Sequence, residues 1–134
     1  MSQENVEIVR EIYHAVARRD AASAFAVYAD DIVWEVSARR AIVMDRAYHG
    51  HEGVRRFWRD ALLAFGEVDL DVEELIDAGD RVVALIRERE IGRSSGVPVE
   101  ASHAAISTLA EGKVVRMQVF DDWDQASKAV GLEE

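Results

Sequence analysis

From Val68 to Asp121 the chain alternates with a period of two, interrupted mainly where glycines gather. Val68, Leu70 and Val72 alternate with Asp69, Asp71 and Glu73; Gly79-Asp80 breaks the run; Val82 to Ile91 reads as a long strand; Gly92 to Gly96 reads as a turn; Val97 to Leu109 and Val114 to Asp121 follow. Successive side chains of a strand point to opposite faces, so long strands that are apolar on both sides must be covered on both. A curled sheet meets that demand if it wraps helices in its concave side and pairs its convex side with a second copy. The spacing at Ala110-Glu111-Gly112 predicts a three-residue hairpin with its glycine in the left-handed position. That loop sets Ser107 against Val115, Ala105 against Met117 and His103 against Val119 on one face. Ala104, Ile106, Val114 and Phe120 fall on the other.

The first half of the chain is helical by the same test. Ser2 can cap a helix that places Val6, Val9, Tyr13 and Val16 on one side. Asp20 caps a short second helix carrying Phe25 and Tyr28, closed by Asp30-Asp31. Ile32, Trp34 and Val36 then alternate as a strand, and Ser37 to Gly50 forms a polar loop. After it, Val54, Phe57, Trp58, Ala61, Leu62 and Phe65 make an apolar stripe across three helical turns. A last short helix, Asp124 to Val130, ends at Gly131. The chain is expected to form one domain over residues 1–134, of α+β class.

Sixteen basic against twenty-six acidic side chains leave a net charge of -10, which repels nucleic acid and anionic membranes. With no cysteine, thiol nucleophiles, zinc–thiolate sites and disulfides are excluded. The polar start of the chain lacks the layout of a signal peptide, and a cytoplasmic location is expected.

Several motifs carry a resemblance over essentially the whole chain. They are Tyr28-Ala29-Asp30-Asp31-Ile32-Val33-Trp34, Tyr48-His49-Gly50-His51-Glu52-Gly53-Val54 leading to Phe57-Trp58, Gly79-Asp80-Arg81-Val82-Val83, Gly112-Lys113-Val114-Val115 and the tail from Ala126 to Leu132. In that order they resemble the SnoaL-like branch of the nuclear transport factor 2-like superfamily. The resemblance implies a cone-shaped, cystatin-like roll: a curved antiparallel sheet around N-terminal helices, often a homodimer, with a pocket between sheet and helices. That fold hosts polyketide cyclases, ketosteroid isomerases, dehydratases, epoxide hydrolases and proteins without chemistry, so function is argued from the site. The isomerases' proton-abstracting aspartate falls at Val36, and their proton-donating aspartate at Ala104 or Ala105. Their helix tyrosine lies nearest Tyr13 but aligns on Ile12. The epoxide hydrolases' arginine and aspartate fall in Arg87-Glu88-Arg89, with the acid lost. Neither mechanism transfers.

The candidate catalytic group is His103, placed on the pocket-facing side of the sheet, where an imidazole can move protons near neutral pH. Asp121, at the end of the next strand, can fix its tautomer, and Tyr13 is the next proton donor or oxyanion partner. Against this stands a histidine bonded to a backbone carbonyl. Trp34, Tyr48, Phe57, Trp58 and Met117 are candidates to line a cavity for an apolar ligand, or else to fill the core. Arg87, with Arg89, either binds a ligand carboxylate or pairs with Asp69-Asp71-Glu73 on the surface. His49 and His51 lack a third ligand, and no metal or organic cofactor is expected.

Two functions follow. One is a cofactor-independent isomerase, cyclase or lyase acting by proton transfer on an apolar carbonyl compound. The other is a module that binds an apolar ligand without converting it, or a dimeric scaffold with a filled cavity.

Overall fold

The computed structural model describes residues 2–90 and 100–131. In chain order these form α1 (Ser2–Ala17), α2 (Ala21–Phe25), β1 (Tyr28–Glu35), a 3₁₀ turn (Arg40–Ile42), β2 (Ala47–His49), α3 (Gly50–Phe65), β3 (Val68–Ala78), β4 (Arg81–Glu90), β5 (Glu100–Ala110), β6 (Lys113–Phe120) and α4 (Trp123–Ala129). The turn expected at Gly92–Gly96 and the strand start at Val97 lie outside the described residues. Among those described, no helix is long and apolar enough to cross a membrane.

The six strands form one sheet in the order β2-β1-β6-β5-β4-β3. Strands β3 to β6 are antiparallel neighbours, but β1 runs parallel to β6, so the sheet is mixed rather than antiparallel throughout. No hairpin joins β1 to β6: most of the chain intervenes, and the direction of β1 is free of a hairpin's constraint. Tyr28 opens β1 instead of riding on α2, and Asp30-Asp31 belong to that strand. Asp20 does cap α2, accepting from the Ser23 amide at 3.2 Å. The loop expected from Ser37 to Gly50 contains β2, which pairs Tyr48 with Trp34. A Cβ at Gly53 would lie 3.0 Å from the Tyr48 carbonyl carbon, so glycine lets α3 settle onto β2.

The β5–β6 hairpin is one residue tighter than its spacing suggested. Ala110 pairs with Lys113, and Glu111 and Gly112 both have positive φ, at 52° and 78°. Two such residues make the turn whose twist matches the flanking strands. A bulge follows: Leu109 faces Val114, while Thr108 faces Arg116. The extra residue on β6 brings Val114 inward and sets Met117 against Ser107 and Val119 against Ala105. The β5 faces are those expected, with Ala105 and Leu109 in the main core and Ala104 and Ile106 on the outer side.

Helices α1 and α3 pack on the concave side, where Val9, Ile12, Val54 and Phe57 are buried against Ile32, Trp34, Ile86 and Met117. Leu62, expected within the α3 stripe, is 56% exposed at the end of that helix. On the convex side Val83, Leu85, Ala104 and Ile106 form a second cluster with Ala126 of α4, joined by Trp123. The case for a second copy rested on that face needing a cover. For these four residues α4 supplies one within the chain, anchored by the Trp123 indole donating to the His103 carbonyl at 3.1 Å.

Ile106→Ala tests this cover. If α4 seals the convex side, the truncation lowers unfolding free energy by about 2–5 kcal/mol, as for a fully buried aliphatic side chain. Urea unfolding should show a loss of that size; under about 0.5 kcal/mol would mark the site as surface.

Candidate functional site

Between the concave sheet and the helices α1 and α3 lies a cavity of about 630 Å³. Its walls are mainly apolar. Trp34, Phe57 and Trp58 form an aromatic cluster, with ring centroids 4.9 Å apart for Trp34–Phe57 and 5.1 Å for Phe57–Trp58. Met117 contributes from β6, its sulfur accepting from the Ser107 hydroxyl at 3.5 Å. Four of the five expected wall residues, Trp34, Phe57, Trp58 and Met117, line the space.

Tyr48 does not. It packs edge-on to Phe57, and its hydroxyl donates to Asp60 at 2.7 Å while accepting from the Asp45 amide at 3.0 Å. Burial and the Asp60 carboxylate both push that phenol's pKa up. Its work is to fasten the segment before β2 to α3.

His103 sits where its strand parity placed it, in the cavity wall and 7% exposed. Its acidic neighbour is not Asp121. The β5–β6 ladder ends at Ala104–Phe120, one residue short of Asp121, whose carboxylate accepts from the Ser37 hydroxyl at 2.6 Å and is absent from the cavity wall. The partner is Glu88 on β4. Ile86 faces His103 directly, and Glu88, two residues on and on the same face, holds Oε1 3.6 Å from Nδ1. The same oxygen accepts from the Arg40 guanidinium at 3.2 Å. Burial pushes the Glu88 carboxyl up, but His103 and Arg40 outweigh it and hold the carboxyl below its usual range.

Arg87 and Arg89 turn the other way. Register pairs Arg87 with Asp71 and Arg89 with Asp69, and Arg87 Nε donates to Glu73 at 2.8 Å, with its guanidinium carbon 5.9 Å from the Trp123 ring centroid on the convex side. Both nonetheless contribute to the cavity lining, with side chains 42% and 52% exposed, and Arg87 is engaged by Glu73.

Tyr13 also lines the cavity, joined by Tyr28, which the sequence had assigned to a helix. Burial raises both phenol pKa values, and in Tyr28 the nearness of Tyr13 adds to it. These hydroxyls are donors at neutral pH. His51 is occupied elsewhere, its Nε2 3.0 Å from the Tyr28 carbonyl oxygen.

Glu88 and Arg40 are the residues that pattern reading missed. For Glu88 a signal existed: Asp69 and Asp71 across from Arg89 and Arg87 put both arginines outside, which leaves the residue between them inside. For Arg40 there was none, because Glu88 lies 48 residues away.

The SnoaL-like domain model matches residues 9–117. Among solved structures, an NTF2-like protein of unknown function from Burkholderia pseudomallei is 25% identical, with a TM-score of 0.78 over 95% of this chain and 97% of that one. TerC, co-crystallised with polyporic acid, is 21% identical with a TM-score of 0.79, covering 96% and 98%. A protein assigned as a SnoaL-like polyketide cyclase from Jannaschia sp. CCS1 is 20% identical with a TM-score of 0.72, covering 98% and 94%. No curated protein matches the chain.

The Glu88 contacts predict a pH signature. A carboxyl held low in the folded state stabilises above its unfolded pKa, about 4.3, and that contribution is lost as pH falls through the folded value. Glu88→Gln should therefore be less stable than wild type at pH 7, and the gap should narrow below about pH 4.3. Urea midpoints across that range test it; a pH-independent gap would contradict the ionic role.

Proposed function

The chain belongs to the SnoaL-like domain family, and we propose that its cavity carries out proton transfer on an apolar carbonyl compound, with His103 as the base and no cofactor required. The observation that carries this reading is the Glu88–His103 pair, set in a mainly apolar cavity wall.

A carboxylate beside Nδ1 favours the tautomer with the proton on that nitrogen. Nε2 is then the basic atom, available to a ligand. When Nε2 takes a proton, the imidazolium gains Glu88 as its counterion, so the carboxylate stabilises the charge as it forms. The distance of 3.6 Å is longer than a hydrogen bond, and the charged pair draws it shorter. Trp34, Phe57 and Trp58 supply flat apolar surface for a ring system, and the Tyr13 and Tyr28 hydroxyls supply donors for ligand oxygens. The co-crystal of TerC with polyporic acid lends support, since a fold of this kind there accepts a small organic molecule.

Nitrobenzisoxazole, a flat apolar carbon acid whose ring opens on loss of one proton, tests the reading without knowledge of the natural substrate. Wild type should open it faster than free imidazole at equal concentration, and His103→Gln should lower the rate by about 10²–10⁴-fold. Glu88→Gln should also slow it. Saturable quenching of tryptophan fluorescence with no rate above imidazole would favour a binding module and sink the catalytic proposal.

A further inference from the structure

We propose that Arg40 selects the substrate class of this site: ring compounds with an acidic enol or a β-dicarbonyl group, bound with their negative oxygen on the Arg40 guanidinium. The inference rests on the proton-transfer reading of His103 and extends it to what is bound.

Glu88 and Arg40 are paired, and their charges offset one another. Moving a proton from a neutral ligand to Nε2 breaks one bond to hydrogen and forms another, leaving an imidazolium and a ligand anion. The imidazolium has Glu88. The anion needs a cation of its own, because an uncompensated charge against apolar walls is costly, and Glu88 close by repels it.

Among the described residues of the cavity wall, Arg40 fits that need. Its side chain is 17% exposed, whereas Arg19, Arg87 and Arg89 at the rim are 61%, 42% and 52% exposed and pair outward with Glu67, Glu73 and Glu100. Arg40 also reaches the same Glu88 oxygen that neighbours His103, which brings guanidinium, carboxylate and imidazole into one chain of contacts. A guanidinium carries five N–H donors in a planar fork and can hold more than one oxygen at once.

The position of Arg40 is built rather than incidental. It opens the 3₁₀ turn, and its amide donates to the Ser37 hydroxyl at 3.2 Å, which in turn donates to Asp121. Further along, Asp45 pairs with Arg56 of α3. Asp121, expected to serve His103, thus helps hold the segment that carries the arginine.

The test compares 4-hydroxycoumarin, an acidic enol, with its methyl ether, 4-methoxycoumarin, by isothermal titration calorimetry at pH 8 in buffers of different ionisation heat. Wild type should bind the enol about tenfold or more tightly than the ether, the worth of one charge-assisted hydrogen bond. Binding of the enolate with protonation of Nε2 should take up a proton from the buffer. His103→Gln should abolish that uptake. Arg40→Met should remove the preference by weakening the enol alone, and Arg40→Lys should keep part of it; unchanged affinity for the ether shows that the cavity is intact in each. Equal affinities in wild type, or a preference that survives Arg40→Met, would overturn the assignment. Selective enol binding without turnover of nitrobenzisoxazole removes the catalytic reading and leaves the Arg40 assignment standing; turnover without enol preference does the reverse.

Discussion

Everything in this fold depends on the two-residue period of a sheet that is covered on both sides. Each strand residue points to one face of the sheet or the other, and a slip of one position exchanges the two sets. On β4, Glu88 is interior because Val82, Ala84 and Ile86 are, and Arg87 is exterior for the same reason. Register shifts adjust the pattern, among them those at Val72/Glu74 on β3 and at Thr108/Leu109 opposite β6. Without the second, Val115 rather than Val114 would face the core.

That constraint creates an unusual electrostatic situation in a chain of net charge -10. Most acidic residues stay outside, several of them in exposed ion pairs that contribute little to stability. Glu88 goes inside and brings Arg40 with it. A half-buried carboxylate is tolerable only with a counterion, so the 3₁₀ turn is drawn over the cavity by the same pair that gives His103 its acidic neighbour. Structure and chemistry here share one set of contacts: removing Glu88 both loosens the turn and leaves the imidazole without its partner.

The division between legible and hidden residues follows the range of the interactions. Trp34, Phe57, Trp58 and Met117 could be assigned to the interior because a helix stripe or strand alternation reveals them locally. His103 could be assigned too, since parity along β5 survives the error in hairpin length. Asp121 was misassigned because its partner, Ser37, lies 84 positions away. Tyr48 was misassigned because an aromatic on a short strand has the same local signature whether its hydroxyl faces a cavity or, as here, Asp60. The Arg87 alternatives remained open because Val82 to Ile86 is apolar on both faces, and such a run carries no parity of its own.

The sequence by itself determined the class of fold, the order of helices and strands apart from β2, the apolar faces and the presence of a histidine on the concave side. Hydrophobic periodicity encodes these within a few residues of each position. Only the tertiary structure decided the parallel pairing of β1 with β6, the packing of α4 on Val83, Leu85, Ala104 and Ile106, and the meeting of Arg40, Glu88 and His103. Those depend on which distant segments come to lie side by side, and a contact between strand and loop leaves no period in either.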